Sequence, residues 1–273
     1  MLPWLLAIRP KTLPIAVAPI LIGSALCFRN SRFSWVYLCI TLLAALLIQI
    51  GTNLANDYYD FLQGSDTSER IGPLRVTQAG LLAPRTVRLG FILSFTLAAF
   101  LGLPLVARAG WPILAIGLAS VVSGILYTAG PFALAYLGLG EIFVLFFFGP
   151  ISVAGTYYIQ AGYLNHSAIG HGIAIGLLAC AVLVVNNLRD QKQDEKANKK
   201  TLAVRFGARF ARAEYRFCIL IPALIELYWG VWPSSLLLVA GYFWLRRAPL
   251  ERLLAQTVWL LLGFAIITSF YLV

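Results

Sequence analysis

Sixty per cent of the 273 residues are hydrophobic and 12% are charged, about half the charged share of an ordinary soluble domain. No soluble core absorbs that much apolar surface, so lipid must cover much of it and a conventional soluble protein is excluded. The net charge of +10 would suit a nucleic-acid binder by amount, and its placement along the chain decides against that class.

The chain opens with Arg9 and Lys11 ahead of an apolar run that is itself long enough to be a span, so it does not read as a cleaved signal peptide. At about 20 residues per span, helices are predicted at roughly 13–28, 35–56, 87–107, 111–129, 137–159, 168–188, 214–230, 232–245 and 254–272. The seventh and eighth are short and separated only by the Val231–Pro233 region. The four cysteines (Cys27, Cys39, Cys180, Cys218) lie in or beside apolar runs without CxxC or Cys/His clustering. They suggest neither a disulfide framework nor a zinc site.

Nine spans distribute the 21 Lys and Arg residues unevenly. Eighteen fall on one face: Arg9 and Lys11, four between Arg70 and Arg88, nine between Arg189 and Arg216, and Arg246, Arg247 and Arg252. Only Arg29, Arg32 and Arg108 fall on the other. The positive-inside rule then predicts a multi-pass protein of the inner (plasma) membrane, with the amino terminus cytoplasmic and the carboxyl terminus outside. The basic excess reports topology, and no nucleic acid is expected.

Two segments on the basic face are long, at about 57–86 and 189–213, and each opens with a polar cluster. The first is NLANDYYD, Asn53 to Asp60; the second is NNLRDQKQD, Asn186 to Asp194. On a helix, Asn53, Asn56, Asp57 and Asp60 stand at i, i+3, i+4 and i+7, which is one face. Asn187, Asp190 and Asp194 repeat the pattern at i, i+3 and i+7. Each cluster ends an even-numbered helix on the same side, so both are expected to face a common cavity. Acids within membrane helices are costly and usually face an interior or a watery cavity. Carboxylates with carboxamide oxygens beside them suit Mg²⁺, which takes one or two carboxylates and completes its shell with water and phosphate oxygens. The second cluster contains Lys192 and is followed by Lys196, Lys199, Lys200 and Arg205. Acid beside base is what a metal-bridged diphosphate requires, although any one of these lysines also fits a solvated loop.

NDYYD (Asn56 to Asp60) and DQKQD (Asp190 to Asp194) resemble the two aspartate-rich motifs of the UbiA-type intramembrane prenyltransferases. RPKTLP, QIGTNLANDYYD, GPLRVTQAG, GEIFVLFFFGP, GTYY and VVNNLRD with TLAVRFG are similar to the branch that prenylates 1,4-dihydroxy-2-naphthoate for menaquinone. The resemblance covers essentially the whole chain. It implies a single domain over 1–273, with nine transmembrane helices around a lipid-accessible cavity. It also implies transfer of a polyprenyl group from its diphosphate to the naphthoate, with decarboxylation. Asn56, Asp60, Asp190 and Asp194 would hold Mg²⁺ and serve as the catalytic set, with Asp57 and Asn187 close by. Arg9, Lys11, Arg75, Lys196 and Arg205 become candidate phosphate or carboxylate partners, and Tyr127 a substrate contact. Membrane lipids surround the protein, and no obligate protein partner is implied.

Departures from the family pattern matter as well. Gly64 stands where some members place a further aspartate, which leaves Asp66 as an outer ligand candidate. YTAGP (Tyr127 to Pro131) lacks the basic pair of hydroxybenzoate-type members and fits the naphthoate branch. An allylic cation needs a dry, aromatic-lined pocket, for which Tyr58, Tyr127, Tyr157 and Tyr158 are candidates. Glu141 is either a helix-end charge or a site residue, and His166 and His171 are expected to be structural. The rivals are a family member with another aromatic acceptor and an ion-coupled transporter. A transporter predicts acids near the midplane, whereas these cluster at one face.

Overall fold

The structure, a computed structural model, describes residues 2–29, 31–64, 72 and 74–273. Twelve α-helices account for most of it: α1 (Leu2–Ile8), α2 (Pro14–Arg29), α3 (Trp35–Leu62), α4 (Pro84–Ala109), α5 (Trp111–Leu126), α6 (Leu134–Leu137), α7 (Gly140–Phe147), α8 (Pro150–Ala161), α9 (His166–Lys196), α10 (Leu202–Tyr228), α11 (Trp232–Leu245) and α12 (Leu250–Leu272). No strand occurs among the described residues. Local sequence sets many of the boundaries. Pro14, Pro84 and Pro150 begin their helices, where a missing N–H costs nothing. Asn165 caps α9 by accepting the Ser167 amide at 3.0 Å.

Among the described residues, five helices or helix pairs are long and apolar enough to cross a bilayer: α3, α4, α7 with α8, α9 and α12. A sixth is formed by the bent pair Leu2–Thr12 and Pro14–Phe28, which meet at 49°. The shorter apolar helices α5 and α11 complete an integral multi-pass membrane protein. Two helices remain, the four-residue α6 and α10, and α10 carries Arg212, Glu214, Arg216 and Glu226.

Neighbour relations close the helices into a ring. α3 packs on α2, α4 and α5; α8 touches α2, α4, α5 and α9; α10, α11 and α12 follow, and α12 returns to α2. α9 is the most enclosed, with 78% of its apolar window buried against 28–39% for the other four long spans. The largest core cluster gathers around it, including Ile175, Leu178, Val182 and Val185 with Ile22, Tyr157, Ile219 and Phe264.

Four of the expected spans depart clearly from the observed helices. α3 and α9 continue to Leu62 and Lys196, past the anticipated ends at 56 and 188, because their polar residues find partners and have no need to fray into water. The fifth span breaks at Phe148–Gly149 into α7 and α8. The seventh begins at Leu202, not 214, and turns at Gly207, whose φ of 81° is open to glycine. Its first turns are amphipathic, a pattern that a search for uniformly apolar windows does not register.

Backbone meets backbone where the α7–α8 break lies on α9. A Cβ on Gly172 would stand 2.6 Å from Pro150 Cα and 2.9 Å from its nitrogen, atoms that cannot swing aside. Gly172→Ala should therefore destabilise the protein by about 1–3 kcal/mol, read as a lower unfolding midpoint in detergent. Gly117→Ala, whose Cβ meets nothing within 4 Å, should leave the midpoint unchanged.

Candidate functional site

Both acid clusters are helical, and both contribute to one cavity of about 290 Å³. From α3 come Asn56 and Asp60; from α9 come Asn186, Asn187, Arg189, Asp190 and Asp194. The amino-terminal turn adds Arg9 and Lys11, and the α5–α6 connection adds Tyr127 and Thr128. Arg75, Glu141 and Lys199 complete the polar wall, while Leu5, Leu6, Leu183 and Leu254 supply an apolar one.

The four polar residues on the α3 face divide their tasks. Asn53 donates to the Ile8 carbonyl at 2.9 Å and to Thr12 Oγ1 at 3.3 Å, which ties down the segment carrying Arg9 and Lys11. Asp57 is buried and accepts the backbone amides of Val76 and Thr77 at 3.2 and 3.1 Å. It thereby positions the strap that bears Arg75. Asn56 and Asp60 face the cavity. Thr128 Oγ1 donates to Asn56 Oδ1 at 2.9 Å. Asp60 accepts Arg75 Nη2 at 2.9 Å on one oxygen and Lys199 Nζ at 3.0 Å on the other.

On α9, Arg189 grips Asp190 through two nitrogens at 2.7 and 2.8 Å, the bidentate geometry that suits guanidinium to carboxylate. Its Nη2 also donates to Asn186 Oδ1 at 2.7 Å. Asn187 donates to Glu141 Oε1 at 2.9 Å, which brings Glu141 onto the cavity wall. Lys199 reaches Asp60 from a turn just past the end of α9, where Asn198 adopts φ 56°. Asparagine tolerates that left-handed conformation better than most residues. The turn is anchored by the Lys200 amide on the Tyr136 carbonyl at 3.0 Å, and the Lys199 ammonium lies 5.0 Å above the Tyr136 ring.

Several sequence-derived candidates lie elsewhere. Asp57 supports the 75–77 strap and does not line the cavity. Lys196 is exposed and outside the lining. Arg205 is also exposed and donates to the Leu137 carbonyl at 2.8 Å, so it pins the α6–α7 turn. Of the aromatic candidates only Tyr127 reaches the cavity. Tyr58 packs with Tyr59 and Phe91 between α3 and α4. Tyr157 is core and donates to the Tyr163 hydroxyl at 2.9 Å, and Tyr158 packs in a small cluster with Tyr37 and Ile159. His166 is exposed, whereas His171 is buried with its Nδ1 2.9 Å from Glu226 Oε1, a partner the sequence did not suggest. Asp66 lies outside the described residues.

Arg189 and Thr128 were not anticipated. Arg189 and Asp190 are adjacent, and helix spacing gives no reason to pair neighbours; Thr128 is distant in sequence from Asn56. Lys199 sits in a run of lysines that sequence alone cannot rank.

The donor set tests what ion the cavity would suit. It is rich in oxygen, with carboxylates from α3 and α9. Among the described residues, no three of His, Cys, Asp or Glu converge as a ready metal cage. A hard ion that takes one or two carboxylates and completes its shell from a phosphorylated substrate fits that arrangement; a zinc-type site does not.

The sequence profile of the UbiA prenyltransferase family matches residues 16–259. The 1,4-dihydroxy-2-naphthoate octaprenyltransferase of Escherichia coli is 43% identical over 230 residues, spanning 82% of this chain and 74% of that protein. The 1,4-dihydroxy-2-naphthoate octaprenyltransferase of Haemophilus influenzae is 42% identical over 87% of this chain and 81% of its own length. A UbiA homologue from Archaeoglobus fulgidus, solved bound to DMAPP and Mg²⁺, shares the fold with a TM-score of 0.69 at 16% identity, over 98% of each chain.

Asp57→Ala should lower stability by about 1–3 kcal/mol, because two amides in a buried setting lose their acceptor. Thermal unfolding of the purified protein checks this. A full loss of prenyl-transfer activity with an unchanged midpoint would move Asp57 from the scaffold into the chemistry.

Proposed function

The chain belongs to the UbiA prenyltransferase family, and we propose that it transfers a polyprenyl group from a prenyl diphosphate to 1,4-dihydroxy-2-naphthoate in menaquinone biosynthesis. The observation that carries this reading is the single cavity in which the α3 and α9 acids meet Arg9, Lys11, Arg75, Arg189 and Lys199 beside an apolar wall. Relatives that are 42–43% identical and carry that activity by name support the acceptor.

In this reading Asn56, Asp60, Asp190 and Asp194 would hold Mg²⁺ on the diphosphate. When bound, the ion supplies Lewis-acid stabilisation of the leaving diphosphate. The protein's own groups do the rest. Arg75 and Lys199 already neutralise Asp60, and Arg189 neutralises Asp190. These cations are therefore in reach of phosphate oxygens on the same wall, where charge grows as the allylic C–O bond breaks. Arg9 and Lys11, held by Asn53 through their segment, close the cavity from the amino-terminal side and can meet either the diphosphate or the acceptor carboxylate.

Leu5, Leu6, Leu183 and Leu254 shield the allylic carbon from water, which would otherwise trap it. The ring carbon bearing the carboxylate forms the new bond to the prenyl C1, and the electron pair of the old C–O bond departs with the diphosphate. Cleavage of the ring–carboxylate bond then releases carbon dioxide, returns its electrons to the ring and leaves demethylmenaquinone in reduced form. Basic residues concentrated at this end of the bundle favour a cytoplasmic site, with the carboxyl terminus outside.

Membranes containing the protein, given dihydroxynaphthoate and a prenyl diphosphate, should form a prenylated, decarboxylated product with Mg²⁺ and none with chelator. Absence of that product under all conditions removes the proposed acceptor. Asp60→Asn and Asp190→Asn should each lower turnover by roughly 10²–10³-fold or more, with the protein still folded by its unfolding midpoint. Normal turnover in either variant takes that residue out of the site.

A further inference from the structure

A second and larger cavity, about 630 Å³, lies between α9, α10, α11 and α12. It uses a different stripe of α9 from the acidic cavity: Val184, Leu188 and Gln191 at i, i+4 and i+7, whereas Leu183, Asn187, Asp190 and Asp194 face the site. The two cavities therefore sit at the same end of one helix and share it as a wall. The second is apolar along its depth, with Val185, Leu245, Leu250 and Leu253. Its charged rim is three arginines, Arg212, Arg216 and Arg246, with no carboxylate among the described lining residues.

That charge is unbalanced. Arg212 and Arg216 stand at i, i+4 on α10, so like charges share one face, an arrangement that destabilises a helix unless an anion sits between them. All three side chains are exposed. Arg216 Nε donates to the Arg212 carbonyl at 3.2 Å, and Arg246 lies 5.0 Å over the Phe243 ring. None of the three belongs to an ion pair among the described residues. Guanidinium groups match phosphate oxygens in a fork geometry. A basic pocket between membrane helices, with apolar walls continuing into the bilayer, recognises an anionic lipid. A soluble phosphate would leave those walls without a partner.

We propose that this cleft binds one anionic phospholipid, its phosphate held by Arg212, Arg216 and Arg246 and an acyl chain lying along Val184, Leu188 and Leu253. The occupant presses on the helix that carries Asp190 and Asp194 and bears on the start of α10, where Gln191 Nε2 donates to the Ala203 carbonyl at 2.8 Å. In the proposed orientation the cleft faces the leaflet enriched in anionic lipid.

The test uses the purified full-length protein, delipidated in detergent. Phosphatidylglycerol should be retained at one molecule per chain by native mass spectrometry and should raise the unfolding midpoint; phosphatidylcholine with the same acyl chains should do neither. The triple variant Arg212→Gln, Arg216→Gln, Arg246→Gln should weaken phosphatidylglycerol binding by roughly tenfold or more, with a wild-type midpoint in lipid-free detergent. If the triple variant does not fold, Arg216→Gln alone should give a several-fold loss. Arg247→Gln, which removes a neighbouring charge outside the lining, should bind as wild type. Four results would overturn the proposal: equal binding of phosphatidylcholine, an equal loss in Arg247→Gln, the full midpoint shift from inorganic phosphate alone, or displacement of the lipid by a prenyl diphosphate. None of these depends on which aromatic acceptor the enzyme uses.

Discussion

A carboxylate buried among membrane helices must be neutralised, and much of this molecule is arranged around that requirement. Asp60 sits on α3 with almost no exposure. Its counter-charges come from far along the chain: Arg75 from the segment after α3, and Lys199 from the turn after α9. One carboxylate thus ties together two connections, the segment after α3 and the turn after α9. The Asp57 bonds to the Val76 and Thr77 amides and the Asn53 bond to the Ile8 carbonyl extend the same anchoring. The polar cluster on α3 is in this sense a fastening point for three loops as well as a wall of the cavity.

The fastening has a chemical consequence. A pair buried between fixed partners is held in one geometry, and a cation already within 3.0 Å of Asp60 needs little motion to meet an incoming anion. Preorganised charge is worth most where charge develops in the transition state. The proposed diphosphate site therefore needs no large rearrangement of α3 or α9, only exchange of carboxylate contacts for phosphate contacts.

The sequence made the helical frame and the two acid motifs legible, because both rest on local periodicity. Apolar runs of span length announce helices, and the i, i+3, i+4, i+7 pattern put Asn53, Asn56, Asp57 and Asp60 on one face. Periodicity could not say which members of that face build and which face the cavity. Asn53 and Asp57 differ from Asn56 and Asp60 only through contacts with residues 8, 12, 76 and 77, and those contacts are tertiary. For the same reason Lys199 could not be separated from Lys196, because the choice depends on the Asn198 turn and not on charge. The break at Gly149 escaped notice because it exists to let α7 and α8 approach Gly172 and Gly176, and a close approach between distant glycines leaves no local pattern.

α9 shows how one helix can serve two environments without compromise. Its apolar first half is core, gathered around Ile175 and Leu178. In its second half the side chains split by angle, with acids and carboxamides toward the site cavity and Val184, Leu188 and Gln191 toward the arginine-rimmed cleft. A rigid helix transmits a shift on one stripe to the other, since packed elements move as units and do not deform locally. A ligand that steadies the cleft side would then steady Asp190 and Asp194 as well. The coupling would favour whichever ligand arrives second, because the helix it needs is already ordered. Lipid and substrate would on this reasoning bind with positive cooperativity, through a shared wall and without any shared contact.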